Sequence, residues 1–472
     1  MYRGRGSRGS QGFLRGRGRG PRSSNWRGRG STRNTVTEQP PKTIDHDAPL
    51  GRLVTEITFD TISVHGVEKE DAKITGCKYA ASYSLVDSST PKIIIPGEPA
   101  VWKPPQLPSQ PPSDHGDYLR DYNGARFPEN PILPTVQSLF ALNEEFDSSS
   151  IDIVGCASSL GDILRFVRSI ESTFRFDVEM VGNTLFLIRN QRDQVIPDVR
   201  GYGHSFLDNF TSYQPEVRET KSHQRVVSYS FGGLKCLVRF ECDGYFGDKT
   251  TDVTSTANEH KTPNIKQTTQ SHSIATKTSG IIVPQQSVLE IKTRSQVRPI
   301  DMNDHLPRLW VRQIPNFIAA YHNRGNFEDV QEKAVQQDLI NWEAEHQYEL
   351  RKFASILHQL IVEVKRAGHL KLELCRTGLG SLELREQAGK PREVLPGDWK
   401  DLWAKHLQKP GKDGEGRLIT DFDSDSDSSD GGYPNLKGRS SESENSDDDD
   451  RYSVDYTACD ALCGYCGNCA QR

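Results

Sequence analysis

The 472-residue sequence predicts an α/β (α+β) protein, a mixed sheet with flanking helices set between disordered termini. Three observations predict it. Runs that alternate at β spacing recur through the middle of the chain, stretches at helical spacing separate them, and both ends turn strongly polar. The 34% hydrophobic content and mean hydropathy of -0.66 therefore average a packed middle with two ends too polar to bury a core.

Residues 1–47 read as an arginine- and glycine-rich arm. Ten arginines and no acid fall within residues 1–33, among them Arg3, Arg5, Arg15, Arg17, Arg19, Arg27 and Arg29. Arginines spaced by glycine pair with phosphates and stack on bases without fixing one geometry, so RNA is the expected partner, and Trp26 adds a stacking group. Residues 411–456 form an acidic tail, with eleven acids between 421 and 450 against Lys437 and Arg439. Its interleaved serines suit phosphorylation, and a protein partner is expected for it. The net charge of -5 averages these opposite ends and identifies no partner.

Between them, residues 48–410 are expected to form one domain. Leu53 to Asp60 and Lys92 to Ile95 alternate as strands, and Pro99 to Pro112 is a proline-rich connection. Leu160, Ile163, Leu164 and Val167 place a helix over Ser159 to Ile170. Phe174 to Met180 and Thr184 to Ile188, joined at Gly182-Asn183, predict a hairpin. A second hairpin pairs Arg225 to Phe231 with Leu234 to Glu241 across Gly232-Gly233. The threonine-rich stretch 248–280 reads as a flexible insertion, followed by a strand from Ser287 to Thr293. Leu306 to His322 looks helical with an interruption at Pro315, and Val335 to Val364 carries the apolar spacing of a long amphipathic helix.

The second hairpin and the following strand carry the chemistry. Side chains two apart on a strand share a face, so Glu241 with Asp243 and Glu290 with Lys292 make one polar face. Three carboxylates beside a lysine are the donor set that holds hard divalent ions for phosphodiester hydrolysis. The competing reading is an ordinary polar sheet face with a Glu-Lys pair.

The order Glu241-Cys-Asp243, insertion, Glu290-Ile-Lys292-Thr293, then Leu309-Trp310-Val-Arg-Gln313 resembles the PD-(D/E)xK nuclease superfamily and, within it, the DXO-type decapping exoribonucleases. The resemblance implies a 5′-end RNA hydrolase using magnesium or manganese. It makes Asp243 and Glu290 metal ligands, Glu241 a further or water-mediated ligand, Lys292 the cation beside the phosphate, and Gln313 a partner of the nucleophile. The family's Gly-x-x-x-Glu run is Gly203-His-Ser-Phe-Leu207 here, with Asp208 adjacent as the one available substitute, and Cys156 or Ala157 falls where the family has an arginine. Leucine cannot ligate magnesium, which leaves open a non-catalytic RNA-binding or scaffold protein on the same fold.

The broader chain is also similar to a family of filamentous fungi often labelled geranylgeranyl pyrophosphate synthetase. Prenyl transfer needs Asp-Asp-x-x-Asp on facing helices, whereas the adjacent aspartates here are Asp447 to Asp450 in the acidic tail, so this is the remote alternative. At residues 457–472, Cys459, Cys463, Cys466 and Cys469 pack four thiols into eleven residues, a spacing compatible with structural zinc. The other cysteines are scattered singly, which is not a secreted disulfide framework. No apolar run reaches the roughly 18 residues of a membrane span. An intracellular protein, nuclear or cytoplasmic and free of membrane, is expected.

Overall fold

The computed structural model describes residues 49–405 apart from 60, 61, 63–71, 89, 191–193, 248–269 and 369. The described residues lie within the compact unit Thr43–Arg472. The arginine-glycine arm, the acidic tail, the four clustered cysteines and most of the expected insertion lie outside them.

Two sheets and their helices make the α+β architecture. The larger has eleven strands in the order Leu53–Ile57, Leu382–Glu386, Leu372–Gly378, Ser172–Val181, Thr184–Arg189, Ile153–Cys156, Leu234–Glu241, Thr220–Phe231, Ile74–Val86, Lys92–Pro96, Ala275–Ser279. The smaller has six, in the order Thr211–Ser212, Val101–Trp102, Gly244–Tyr245, Val288–Ser295, Asn316–Asn323, Asn326–Ala334. Parallel and antiparallel pairs mix in both.

The large sheet is buried on both faces, and the period-2 alternation of its central strands shows how. Val227, Tyr229, Val238 and Phe240 join the cluster formed with helices Ala157–Val167, Met302–Arg312 and Gln347–Ala367. Their neighbours Val226 and Leu237 join the opposite cluster with Leu133–Leu142 and with Trp399 and Trp403 of Gly397–Ala404. Trp403 meets Phe186 and Phe140 edge to face at 5.3 and 6.2 Å between centroids.

Both predicted hairpins form, as Ser172–Val181 with Thr184–Arg189 and Thr220–Phe231 with Leu234–Glu241. Three expectations need correction. The helix expected over Leu306 to His322 is helix Met302–Arg312 followed by strand Asn316–Asn323. Gln313 ends the helix in the left-handed conformation at φ 53°, and Pro315 then disfavours α backbone at its neighbour. The buried Phe317-Ile-Ala-Ala run fits a covered strand as well as a helix by pattern, and pairing with Val288–Ser295 on one side and Asn326–Ala334 on the other decides for the strand. The single long helix is two, Gln336–Glu345 and Gln347–Ala367, broken at His346. The last residues of the expected insertion are strand Ala275–Ser279, held parallel to Lys92–Pro96. Among the described residues no helix is long and apolar enough to cross a membrane.

Candidate functional site

The site forms where the chain passes from one sheet to the other. Gly232 and Gly233, at φ 55° and 78°, supply the two positive-φ positions of a tight hairpin turn and set the register in which Gln224 faces Glu241. Cys242 N–H donates to His223 O at 2.9 Å, the last rung on the large sheet. Gly244–Tyr245 then pairs with Val288–Ser295 in the small sheet. A Cβ at Gly244 would lie 2.9 Å from Ala100 O, so the crossing requires a glycine. Asp243 sits at the crossing, and its Oδ2 accepts the Ile291 N–H at 2.8 Å.

Along Val288–Ser295, Leu289 and Ile291 enter a cluster with Phe206, Ile318 and Phe327. Alternation sends Glu290 and Lys292 to the other face, where both are buried and Lys292 Nζ lies 3.4 Å from Glu290 Oε1. Helix Met302–Arg312, capped by Asp301 accepting Asn303 N–H at 2.9 Å, brings Arg308 and Arg312 onto one face four residues apart. Arg308 hydrogen-bonds Glu290 Oε1, and Arg312 Nη1 donates to Glu290 Oε2 at 2.7 Å. On its far face the helix is fixed by Trp310, whose Nε1 donates to Glu343 at 2.7 Å and whose ring packs on Phe231 and Trp342.

The three carboxylates therefore differ sharply. Burial pushes Glu290 up, but Arg308, Arg312, Lys292 and His305 outweigh it and hold the group well below the usual range. Burial raises Asp243, with Glu290 adding to it against Lys292, the Ile291 N–H and Arg312. Burial likewise pushes Glu241 up to about 7; the Ser222 hydroxyl opposes this, while Asp243 and Asp121 reinforce it. A polar chain runs on from Glu241. Ser222 Oγ donates to Glu241 Oε1, Gln224 Nε2 to Ser222 Oγ, and Arg239 Nη1 to Gln224 Oε1, each at 2.8 Å.

The remaining sequence candidates are placed as follows. The Gln313 amide turns back on its own helix, Nε2 donating to Trp310 O at 2.7 Å. Leu207 packs with Phe206 and Phe210 on helix Gly203–Phe210. Asp208 lies on that helix at the surface; partial desolvation of its carboxyl and Asp114 raise it, and Lys221 opposes them. Asp114 accepts the N–H groups of His204 and Ser205 at 3.0 and 2.8 Å and so caps the helix. The sequence reading missed Arg308 and Arg312, although an arginine pair at helical i,i+4 spacing just after an acidic strand was a legible signal.

Glu290, as placed here, does not fit the role of ligand to a divalent ion. Magnesium or manganese takes hard oxygen ligands at about 2.1 Å, commonly one or two carboxylates with waters and substrate phosphate completing the shell. Both Glu290 oxygens are held by guanidiniums, one Asp243 oxygen is held by the backbone, and Leu207 offers no donor. Among the described residues, no group of three or more His, Cys, Asp or Glu is arranged to hold an ion.

Residues 59–372 match the family model described as a domain of unknown function, DUF8563. No curated protein sequence matches the chain. Among solved structures, the chain is similar to S. pombe Rai1 in complex with 3′-FADP, at 13% identity and TM-score 0.46, covering 71% of this chain and 99% of that one. It is similar to Candida albicans Rai1 in complex with pU5 and Mn2+, at 11% identity and TM-score 0.48, covering 75% and 100%. It is also similar to K. lactis Dxo1 in complex with manganese, at 10% identity and TM-score 0.41, covering 72% and 96%.

Proposed function

The chain belongs to the DUF8563 family, and we propose that it is a non-catalytic RNA-binding protein built on a nuclease-type site whose metal chemistry has been replaced by an internal ion-pair cluster. One observation carries the reading. The Glu290 carboxylate, which the motif resemblance makes a metal ligand, is bound at both oxygens by Arg308 and Arg312, with Lys292 beside it. A cation entering there would meet three fixed positive charges, and coordinating Glu290 would first require breaking two buried charge-assisted hydrogen bonds. Leu207, which packs in an apolar cluster, points the same way.

RNA affinity then resides in the arginines of the N-terminal arm, Arg3, Arg5, Arg15, Arg17, Arg19, Arg27 and Arg29, through phosphate pairing and stacking. The second reading is a 5′-end hydrolase using magnesium or manganese. It is favoured by the convergence of Glu241, Asp243, Glu290 and Lys292 at one crossing point, as the Glu-x-Asp and Glu-x-Lys motifs imply.

The deciding experiment incubates the purified full chain with 5′-monophosphate, 5′-triphosphate and capped RNA in manganese, beside Asp243→Ala and Glu290→Ala variants. The expected result is no hydrolysis and RNA binding that persists in EDTA. Manganese-dependent cleavage that disappears in both variants would establish the hydrolase instead.

A further inference from the structure

On the same face of the large sheet as Glu241, at the other end of the polar chain through Ser222 and Gln224, lies a cavity of ≈ 20 Å³ lined by Asp121, Cys156, Arg189, Gln194, Arg239 and Arg392, among others. A cavity of this measure admits a molecule about the size of water, for which roughly 10–15 Å³ suffices.

Cys156 stands at the N-cap of the eleven-residue helix Ala157–Val167. Its Sγ lies 3.1 Å from both Ser158 Oγ and Ser159 Oγ. Arg239 is the register partner of Cys156 on the neighbouring parallel strand; both are 3% exposed, and Arg239 keeps a buried Nε with no hydrogen-bond partner. Its Nη1 donates to Gln224 Oε1, and its Nη2 lies 3.7 Å from Asp121 Oδ2. A sulfur at a helix N-terminus, two hydroxyls able to donate to it and a buried guanidinium with a spare donor are the surroundings that stabilise a thiolate.

We propose that Cys156, in the wall of this cavity, is a peroxide-reactive cysteine oxidised by hydrogen peroxide, with Arg239 as the positioning residue. The thiolate sulfur attacks one peroxide oxygen; the S–O bond forms as the O–O bond breaks. Sulfur loses two electrons, peroxide gains them, and the departing hydroxide takes a proton from solvent to become water. Cys156 is left as the sulfenic acid.

The other described thiols lack these surroundings. Burial pushes Cys77 up to about 11, and Cys236, Cys242 and Cys375 up to about 12. Burial also pushes Cys156 up, but Arg239 and the Ser158 and Ser159 hydroxyls outweigh it and hold the thiol below its ordinary value.

The test treats the full-length native chain with hydrogen peroxide for timed intervals and quenches with catalase. The protein is then unfolded in dimedone to trap sulfenic acid and read peptide by peptide by mass spectrometry, which separates Cys156 from the clustered Cys459, Cys463, Cys466 and Cys469. Cys156 is expected to be oxidised about tenfold faster than Cys236. Arg239→Lys should retain most of that rate, whereas Arg239→Gln should lose most of it. Should Arg239→Gln not fold, Ser159→Ala serves in its place and is expected to slow oxidation about threefold. Oxidation of Cys156 no faster than Cys236 in the folded wild type, or rates indifferent to a folded Arg239→Gln or Ser159→Ala variant, would overturn the proposal.

Discussion

Arg312 Nη1 donates to Glu290 Oε2 at 2.7 Å, and both side chains are nearly sealed from water, at 4% and 2% exposure. A charge pair this deep persists only because each partner meets the other's desolvation. Arg308 on the second oxygen and Lys292 at 3.4 Å complete the cluster. The cluster ties helix Met302–Arg312 to strand Val288–Ser295, so one carboxylate joins two layers of the fold.

Removing one arginine leaves a buried, partly uncompensated carboxylate. Arg312→Ala is expected to lower unfolding free energy by about 3–5 kcal/mol, read by urea denaturation. Arg312→Lys should recover only part, since a point cation cannot reproduce the planar guanidinium contact. A loss under 1 kcal/mol for Arg312→Ala would mean that the pair is open to water in solution.

Glu241 should give the stability a pH dependence of known sign. Its carboxyl is pushed up to about 7 on folding, so between the ordinary value of 4.5 and about 7 the folded state binds more protons than the unfolded. That contribution is fully present below pH 4.5 and is lost as pH rises through about 7. Glu241→Gln, which still offers an acceptor to Ser222, should remove this component. Relative to wild type it should gain roughly 1–3 kcal/mol between pH 4.5 and pH 8, the range allowing for partial exposure. Glu290 acts oppositely: its contribution is fully present above about pH 4.5 and is lost progressively as pH falls below that value. Denaturation curves for both proteins across that range decide the matter, and parallel curves would remove Glu241 as the cause.

The Gly232-Gly233 turn sets the register that delivers Glu241, and its two positions should respond differently. A Cβ at Gly232 would lie 2.5 Å from the Ala354 Cβ at φ 55°, whereas at Gly233 nothing lies within 4 Å. Gly232→Ala should therefore cost about 2–4 kcal/mol, the left-handed penalty plus overpacking against helix Gln347–Ala367. Gly233→Asn should cost under about 1 kcal/mol, because asparagine tolerates positive φ. Thermal melts of the two variants provide the comparison.

RNA binding through the arginine arm should be steeply salt-dependent and indifferent to sequence. Each phosphate neutralised on a single strand contributes about -0.7 to the slope of log K against log salt. Deleting residues 1–47 should abolish most of that slope, while replacing only Arg15, Arg17 and Arg19 with alanine should reduce it by about 2. Fluorescence anisotropy with short single-stranded RNA in EDTA measures both. An unchanged slope after the deletion would place the RNA contacts on the folded domain instead.

The amino-acid pattern alone determined the α+β class, both hairpins with their glycine turns, and the motifs that bring Glu241, Asp243, Glu290 and Lys292 to one crossing, because period-2 alternation and positive-φ turns are local properties. It could not separate strand Asn316–Asn323 from a continuing helix, since a covered strand lacks alternation and one of its two pairing partners, Val288–Ser295, lies beyond an intervening helix. Nor could it foresee what surrounds Glu290. The same carboxylate on the same strand is a metal ligand or one member of an ion-pair cluster according to what the opposite layer presents, and only tertiary packing set Arg308 and Arg312 against it. Spacing along the chain decides which side chains share a face, whereas the partner that face meets, and hence its electrostatics, is decided by how the layers close.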